Sequence, residues 1–285
     1  PRGTHPTPGQ VRASSFVRDG APVLIRRLQV QGLRRLAEIE LLPGAGFNLI
    51  TGDNGSGKTS LLEAMHLMAH GRSFRGRVRD GLVRSGESAL QIFIEWEQPG
   101  HDSRRAGLRH SGGSWEARLD GGSVGHLGEL CEALAVITFE PGSHALIDGS
   151  SEVRRRFIDW GLFHVERSDA GGDFLSLWRR HGRALKQRNA LLRQARADSQ
   201  LDAWEHELAQ AGEAITLQRD AYVTRLQPHV DALLADILPA AGAARLSLQP
   251  GWKRQELSLA DALLLSRERD LSQGHTTLGP HRADL

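Results

Sequence analysis

From Val23 the chain alternates apolar and polar positions. Leu24, Arg26, Leu28 and Val30 mark a period of two, which predicts a half-buried β-strand, and Ile39 to Leu42 predicts a second. Phe47 to Thr51 reads as a short apolar strand. The period then changes: Leu61, Leu62, Met65 and Met68 recur at helical spacing. Leu90, Ile92, Ile94 and Trp96 alternate again, and "SRRAGLRHSGGSWEARLDGG" reads as two strands around a Ser-Gly-Gly turn. Together these predict an antiparallel annex to a mixed sheet. Ala133 to Pro141, "ALAVITFEP", reads as a buried strand that stops at its proline.

Beyond Pro141 the pattern belongs to long charged helices. Phe174, Leu177, Trp178, Leu185 and Leu192 mark one helix face, with Asp173 as its N-cap. Trp204, Leu208, Ala211, Ile215, Tyr222 and Leu226 mark a second helix, which Pro228 is expected to end or kink. With only "RADSQ" between them, the two predict an antiparallel helical hairpin. A strand-like "ARLSLQ" and a short helix around Leu257 to Arg269 then lead back to the α/β body. Four segments result: a flexible extension at 1–22, a head lobe at 23–145, a helical lobe at 146–240 and a return segment at 241–285.

The candidate chemistry lies between the strand at Phe47 and the helix after it. Gly52, Asp53, Asn54, Gly55, Ser56, Gly57, Lys58 and Thr59 satisfy G-x-x-x-x-G-K-[ST] at every fixed position. The glycines let successive N–H groups turn inward, and the helix N-terminus adds partial positive charge, so the guest is an anionic phosphate. Lys58 is expected to reach the β and γ phosphates of ATP, and the Thr59 hydroxyl to ligate Mg²⁺. Hydrolysis also needs a carboxylate at the tip of a second buried strand. Glu140 ends "VITFE", but Pro141 follows it and no aspartate precedes it, so a structural role is preferred. Glu95 and Glu97 read as solvated, and no catalytic residue is identified in this chain.

Composition narrows the alternatives. Mean hydropathy is −0.37 and no apolar run approaches ~18 residues, so the chain is expected to be soluble, with no membrane partner. Its first 22 residues lack the apolar core of a secretory signal. A single cysteine, Cys131, excludes an internal disulfide and fits a reducing cytoplasm. The histidines form no H-E-x-x-H pattern and no G-x-S-x-G elbow occurs, which disfavours metal and serine hydrolases. Net charge is only +2, yet cations cluster at Arg72, Arg75, Arg77 and Arg79, at Arg154 to Arg156, and at Arg179, Arg180, Arg183, Lys186 and Arg188. Each cluster is either a solvated face or a contact for nucleic-acid phosphates.

Several longer stretches carry a resemblance. "GDNGSGKTSLLEA", "GRSFRG" at Gly71 to Gly76, "ITFEPGSHALIDGSSEVRRRFID" at Ile137 to Asp159, "WRRHGRALKQRNALLR" at Trp178 to Arg193 and "GHTTLGPHRADL" at Gly274 to Leu285 occur in this order. From about Val23 to Leu285 the chain resembles the RecF family, bacterial recombination mediators that are ATPases of the ABC/SMC type and bind DNA. The resemblance implies an α/β P-loop ABC-type head with a mixed sheet and an inserted helical lobe. It implies an ATP-dependent, head-to-head homodimer, DNA at a gap or single-strand/double-strand junction, and RecR-type and RecO-type mediators that together load RecA. Recombinational repair, replication restart, the SOS response and a cytoplasmic location follow from the same source, as does weak DNA-dependent ATPase activity. "GLRRLAEIE" departs from the family's aromatic-arginine-asparagine stretch, so the adenine contact is unassigned. In that family the signature and Walker B acids follow "GPHR", so a polypeptide ending at Leu285 is expected to hold nucleotide without completing hydrolysis. Other readings are a nucleotide-binding fragment and the ATP-binding subunit of a transporter. His281 and Arg282 either sense nucleotide or support the fold, and the fold role is preferred.

Overall fold

Alternating apolar positions build one six-stranded sheet in the computed structural model, which describes residues 23–75, 81–98, 101–111, 113–165, 174–195 and 199–285. The strands are β1 (Leu24–Leu33), β2 (Leu36–Leu41), β3 (Leu90–Gln98), β4 (His101–Ser111), β5 (Ser114–Leu119) and β6 (Gly122–Val124), in the order β2-β1-β3-β4-β5-β6. Register explains the common face: Leu28 pairs with Ile94, Val30 with Ile92, and Ile92 with Leu108. Helices α1 (Lys58–His70) and α2 (Leu127–Ala133) supply Leu61, Ala64, Leu67, Met68 and Leu130 to the same core. Each fully buried aliphatic side chain there contributes about 1.5–3 kcal/mol.

The chain resolves into two compact units, Pro1–Thr138 and Phe139–Leu285. The second is helical: α3 (Ala145–Asp148), α4 (Ser151–Val165), α5 (Phe174–Arg193), α6 (Ser199–Ile237) and α7 (Leu259–Gln273). Leu192 packs with Leu201, Ala184 with Leu208, and Leu177 with Ile215, so α5 and α6 run antiparallel as the hairpin pattern predicts. The return segment packs within this unit, where α7 places Leu259, Ala262 and Leu263 against Ala184 and Leu208.

Several expectations need correction. Every strand pair described is antiparallel, so the parallel pairing implied by a mixed sheet is not among them. Phe47 to Thr51 and Ala133 to Pro141 are not strands: Phe47, Leu49, Ile137 and Phe139 are exposed, because apolar alternation makes a strand only where a partner edge supplies hydrogen bonds. "ARLSLQ" likewise stays outside a sheet, apart from one bridge between Gln249 and Asp284. Pro228 does not end helix α6, which runs on to Ile237 with a single N–H missing from its ladder; the neighbouring Gln227 side chain ties Ala244 and Leu246 to it at 2.7 Å. Leu62 and Trp178 lie outside the apolar faces assigned to them. The 1–22 extension, Arg77, Arg79, the Asp173 cap and most of the hairpin linker fall outside the described residues.

Candidate functional site: a phosphate loop and its arginine rim

The loop from Gly52 to Thr59 is seated on the turn between β1 and β2. Gly52, Gly55 and Gly57 take φ angles of 149°, 83° and 101°, a region L side chains rarely enter. Space decides at Gly57, where a Cβ would stand 2.4 Å from Cδ2 of Leu36. Helix α1 starts at Lys58 with the Leu61 N–H donating to the Gly57 carbonyl, so the amides before Leu61 are the ones its ladder does not use. Lys58 Nζ donates to the carbonyls of Gly52 at 2.6 Å and Asp53 at 2.7 Å, bracing the start of the loop. The Asp53 backbone carbonyl also accepts from the Ser56 N–H at 3.2 Å. Asn54, Ser56 and Thr59 are exposed.

A cleft of about 680 Å³ opens beside the loop. It is lined by Asn54, Gly55, Lys58 and Thr59 of the loop together with Arg34, Arg35 and Arg75. None of its described lining residues is acidic. A glycine cradle, a helix N-terminus, one lysine and three arginines suit a polyphosphate. Among the described residues no group of three or more His, Cys, Asp or Glu could hold a metal. Mg²⁺ would therefore depend on the Thr59 hydroxyl and on phosphate oxygens, the usual way that ion binds.

The sequence gives little sign of what holds the arginine rim. Glu63, one turn beyond Thr59, has no solvent exposure and receives the Arg34 guanidinium at 2.9 and 3.3 Å. The Ser73 hydroxyl donates to the same carboxylate, and Arg75 stands 3.7 Å from it. One buried acid thus joins α1, the β1–β2 turn and the "GRSFRG" segment. An acid amid the apolar run "SLLEAM" is the only trace of it, and its partners cannot be read from spacing.

Farther along α1, His66 bonds the Thr138 hydroxyl at 2.9 Å and His70 the Val136 carbonyl at 3.0 Å. Burial, with His70 and Arg72 nearby, pulls His66 down to about 3; burial also lowers His70. Burial pushes the Cys131 thiol up to about 11, which leaves it a poor nucleophile.

Glu140 caps the turn Pro141–His144, accepting from the Gly142 N–H at 2.6 Å, while its own N–H donates to the Ser143 hydroxyl. His281 and Arg282 both bond the Thr276 carbonyl, at 3.2 and 3.3 Å. In the basic clusters, Arg75 faces Glu63, Arg154 holds Asp284 at 2.6 and 3.0 Å, Arg155 reaches the Ala283 carbonyl, and Arg156 pairs with Glu152.

Comparison with known proteins fits this geometry. Residues 27–111 match the AAA domain family. A DNA replication and repair protein RecF from Stenotrophomonas maltophilia is 62% identical, across 91% of this chain and 71% of the relative. The RecF of Stutzerimonas stutzeri is 41% identical, across 92% and 69%. A solved structure described as the recombination mediator protein RecF-ATP in the RecFOR pathway superposes with a TM-score of 0.81, at 23% identity, over 92% of this chain and 72% of that one. Fold and loop together give a P-loop protein with the fold of an ABC-type ATPase, mixed α/β in composition. The chain belongs to the RecF family of DNA replication and repair proteins.

Proposed function

We propose that the chain is an ATP-dependent DNA-binding protein of recombinational repair and replication restart, one that helps load RecA at single-strand gaps. Identity of 62% to a protein named for DNA replication and repair, across 91% of the chain, carries this reading. Gly52 to Thr59 hold the phosphates of ATP, Lys58 contacts them, and Thr59 ligates Mg²⁺, supported by the glycine conformations and the acid-free cleft. When bound, ATP supplies a polyanion that the loop amides, Lys58 and the arginine rim all face. The molecule works as an ATP-dependent homodimer on gapped or junction DNA, with RecO-type and RecR-type mediators, in the cytoplasm. The relative solved with ATP is described in the RecFOR pathway. The transporter-subunit reading is the weaker one, because the relatives that match about 91% of the chain are named as DNA replication and repair proteins.

The division into a head lobe at 23–145, a helical lobe at 146–240 and a return segment at 241–285 belongs to the same reading. A second reading has one observation in its favour. The described cleft offers no carboxylate to position water, so these residues bind nucleotide and rely on others for turnover.

The test titrates labelled gapped DNA with the protein in ATP, ADP and no nucleotide, and measures steady-state ATP hydrolysis in parallel. Equal DNA affinity in all three conditions defeats the proposal. Robust hydrolysis lost on Lys58→Ala defeats the second reading.

A further inference from the structure

Helix α5 carries six cations, Arg179, Arg180, Arg183, Lys186, Arg188 and Arg193, and no aspartate or glutamate. Two are neutralised within the fold. Arg180 reaches Glu207 at 2.8 and 3.0 Å, and Arg188 is buried against Glu205 and Asp270. The other four form no ion pair or side-chain hydrogen bond among the described residues. The acid that acts on this face is Glu207, which Arg180 already holds; Arg183 is among the weaker influences on it.

Helical geometry places the four together. At 3.6 residues per turn, positions 179, 183, 186 and 193 fall within about 80° of one another and span about 21 Å of helix. Arg183, Lys186 and Arg193 are exposed and Arg179 is half-buried. At the margin of the stripe stands Trp178, 46% exposed, its ring meeting Phe163 edge-on at 6.2 Å. Solvated helix faces ordinarily interleave both signs of charge, which also supports the helix through pairs one turn apart. This one forgoes that support and presents four like charges in a row.

We propose that this stripe grips the phosphate backbone of DNA, with Arg179, Arg183, Lys186 and Arg193 as the contacts. The inference rests on the DNA-binding reading above and adds where the DNA lies. It also ranks the basic clusters, since Arg75 and Arg154 to Arg156 are engaged within the fold. A straight row of cations follows a strand without reading its bases, arginine forks engage phosphate oxygens, and an exposed indole offers a stacking face where bases are unpaired.

The experiment uses the full chain and a fluorescein-labelled gapped duplex, followed by anisotropy at several KCl concentrations, with and without ATP and Mg²⁺. The test variant is R179Q/R183Q/K186Q. The control is R84Q/R109Q/R118Q, which removes the same charge from the first unit. Thermal melting verifies that both fold. If the stripe is the contact, the test variant binds at least about tenfold more weakly and its log–log salt slope flattens by roughly 2–3, while the control keeps the wild-type slope. Wild-type binding matched by the test variant, or an unchanged slope, overturns the inference and leaves the DNA reading standing. Wild-type protein that binds no DNA overturns both, and an acidic protein surface then becomes the better match.

Discussion

Lys58 and Glu63 lie one turn and a half apart on α1 and do opposite things. Lys58 points its charge along the loop, so Lys58→Ala should leave the fold intact and cut affinity for a fluorescent ATP analogue roughly ten- to hundredfold, the worth of one to two charge-assisted hydrogen bonds. Glu63 faces inward, and its loss takes the counter-charge of the carboxylate away from the largely buried Arg34 guanidinium. Glu63→Ala should cost about 2 kcal/mol or more in chemical denaturation and weaken nucleotide binding as the arginine rim loosens. Unchanged stability would show that Arg34 finds water instead. The loop was legible residue by residue because its chemistry is local. Glu63 was not, because Arg34 and Ser73 stand 29 and 10 positions away.

At the scale of elements, the same division separates what periodicity reveals from what it conceals. Strands β1 to β5 and helices α1, α5 and α6 were legible because each announces a buried face by its own repeat. Phe47 to Thr51 and Ala133 to Pro141 have strand-like alternation without a described partner strand, and pairing is a property of two segments. Buried charge is equally hidden: Arg188 looks like one more cation of α5, yet it has no exposure and meets Glu205, Asp270 and the Thr276 hydroxyl within 3.1 Å. Arg188→Ala should therefore destabilise by about 3–5 kcal/mol, because the buried Asp270 loses its counter-charge and Glu205 keeps only Arg267. Adding Asp270→Asn to that variant should recover part of the loss, and a purely additive double mutant would refute the coupling.

For the whole molecule, the shifted histidines give acid sensitivity one sign in both units. Burial lowers His66 and His181 to about 3 and His281 to about 4, with His281 beside His181 and Arg282, Arg155 and Arg188 near His281. Each is neutral when folded and titrates near 6.5 when unfolded, so the unfolded chain binds more protons between those limits. Stability present above about pH 6.5 should fall steadily as pH drops toward 4. The lowered carboxyls of Glu97, Glu207, Asp120 and Asp284 lose their partners' help at still lower pH and add to the trend. Denaturation midpoints measured from pH 8 to 4 report this, and His181→Gln should flatten the curve where the wild type is steepest.

The Arg188 network also has a mechanical consequence. Sliding α5 along α6 by one turn would carry the guanidinium about 5.4 Å from Glu205 and Asp270. Because a shifted register separates a buried cation from both of its buried acids, the network works as a dowel that pins α5 to α6 and α7 in one alignment.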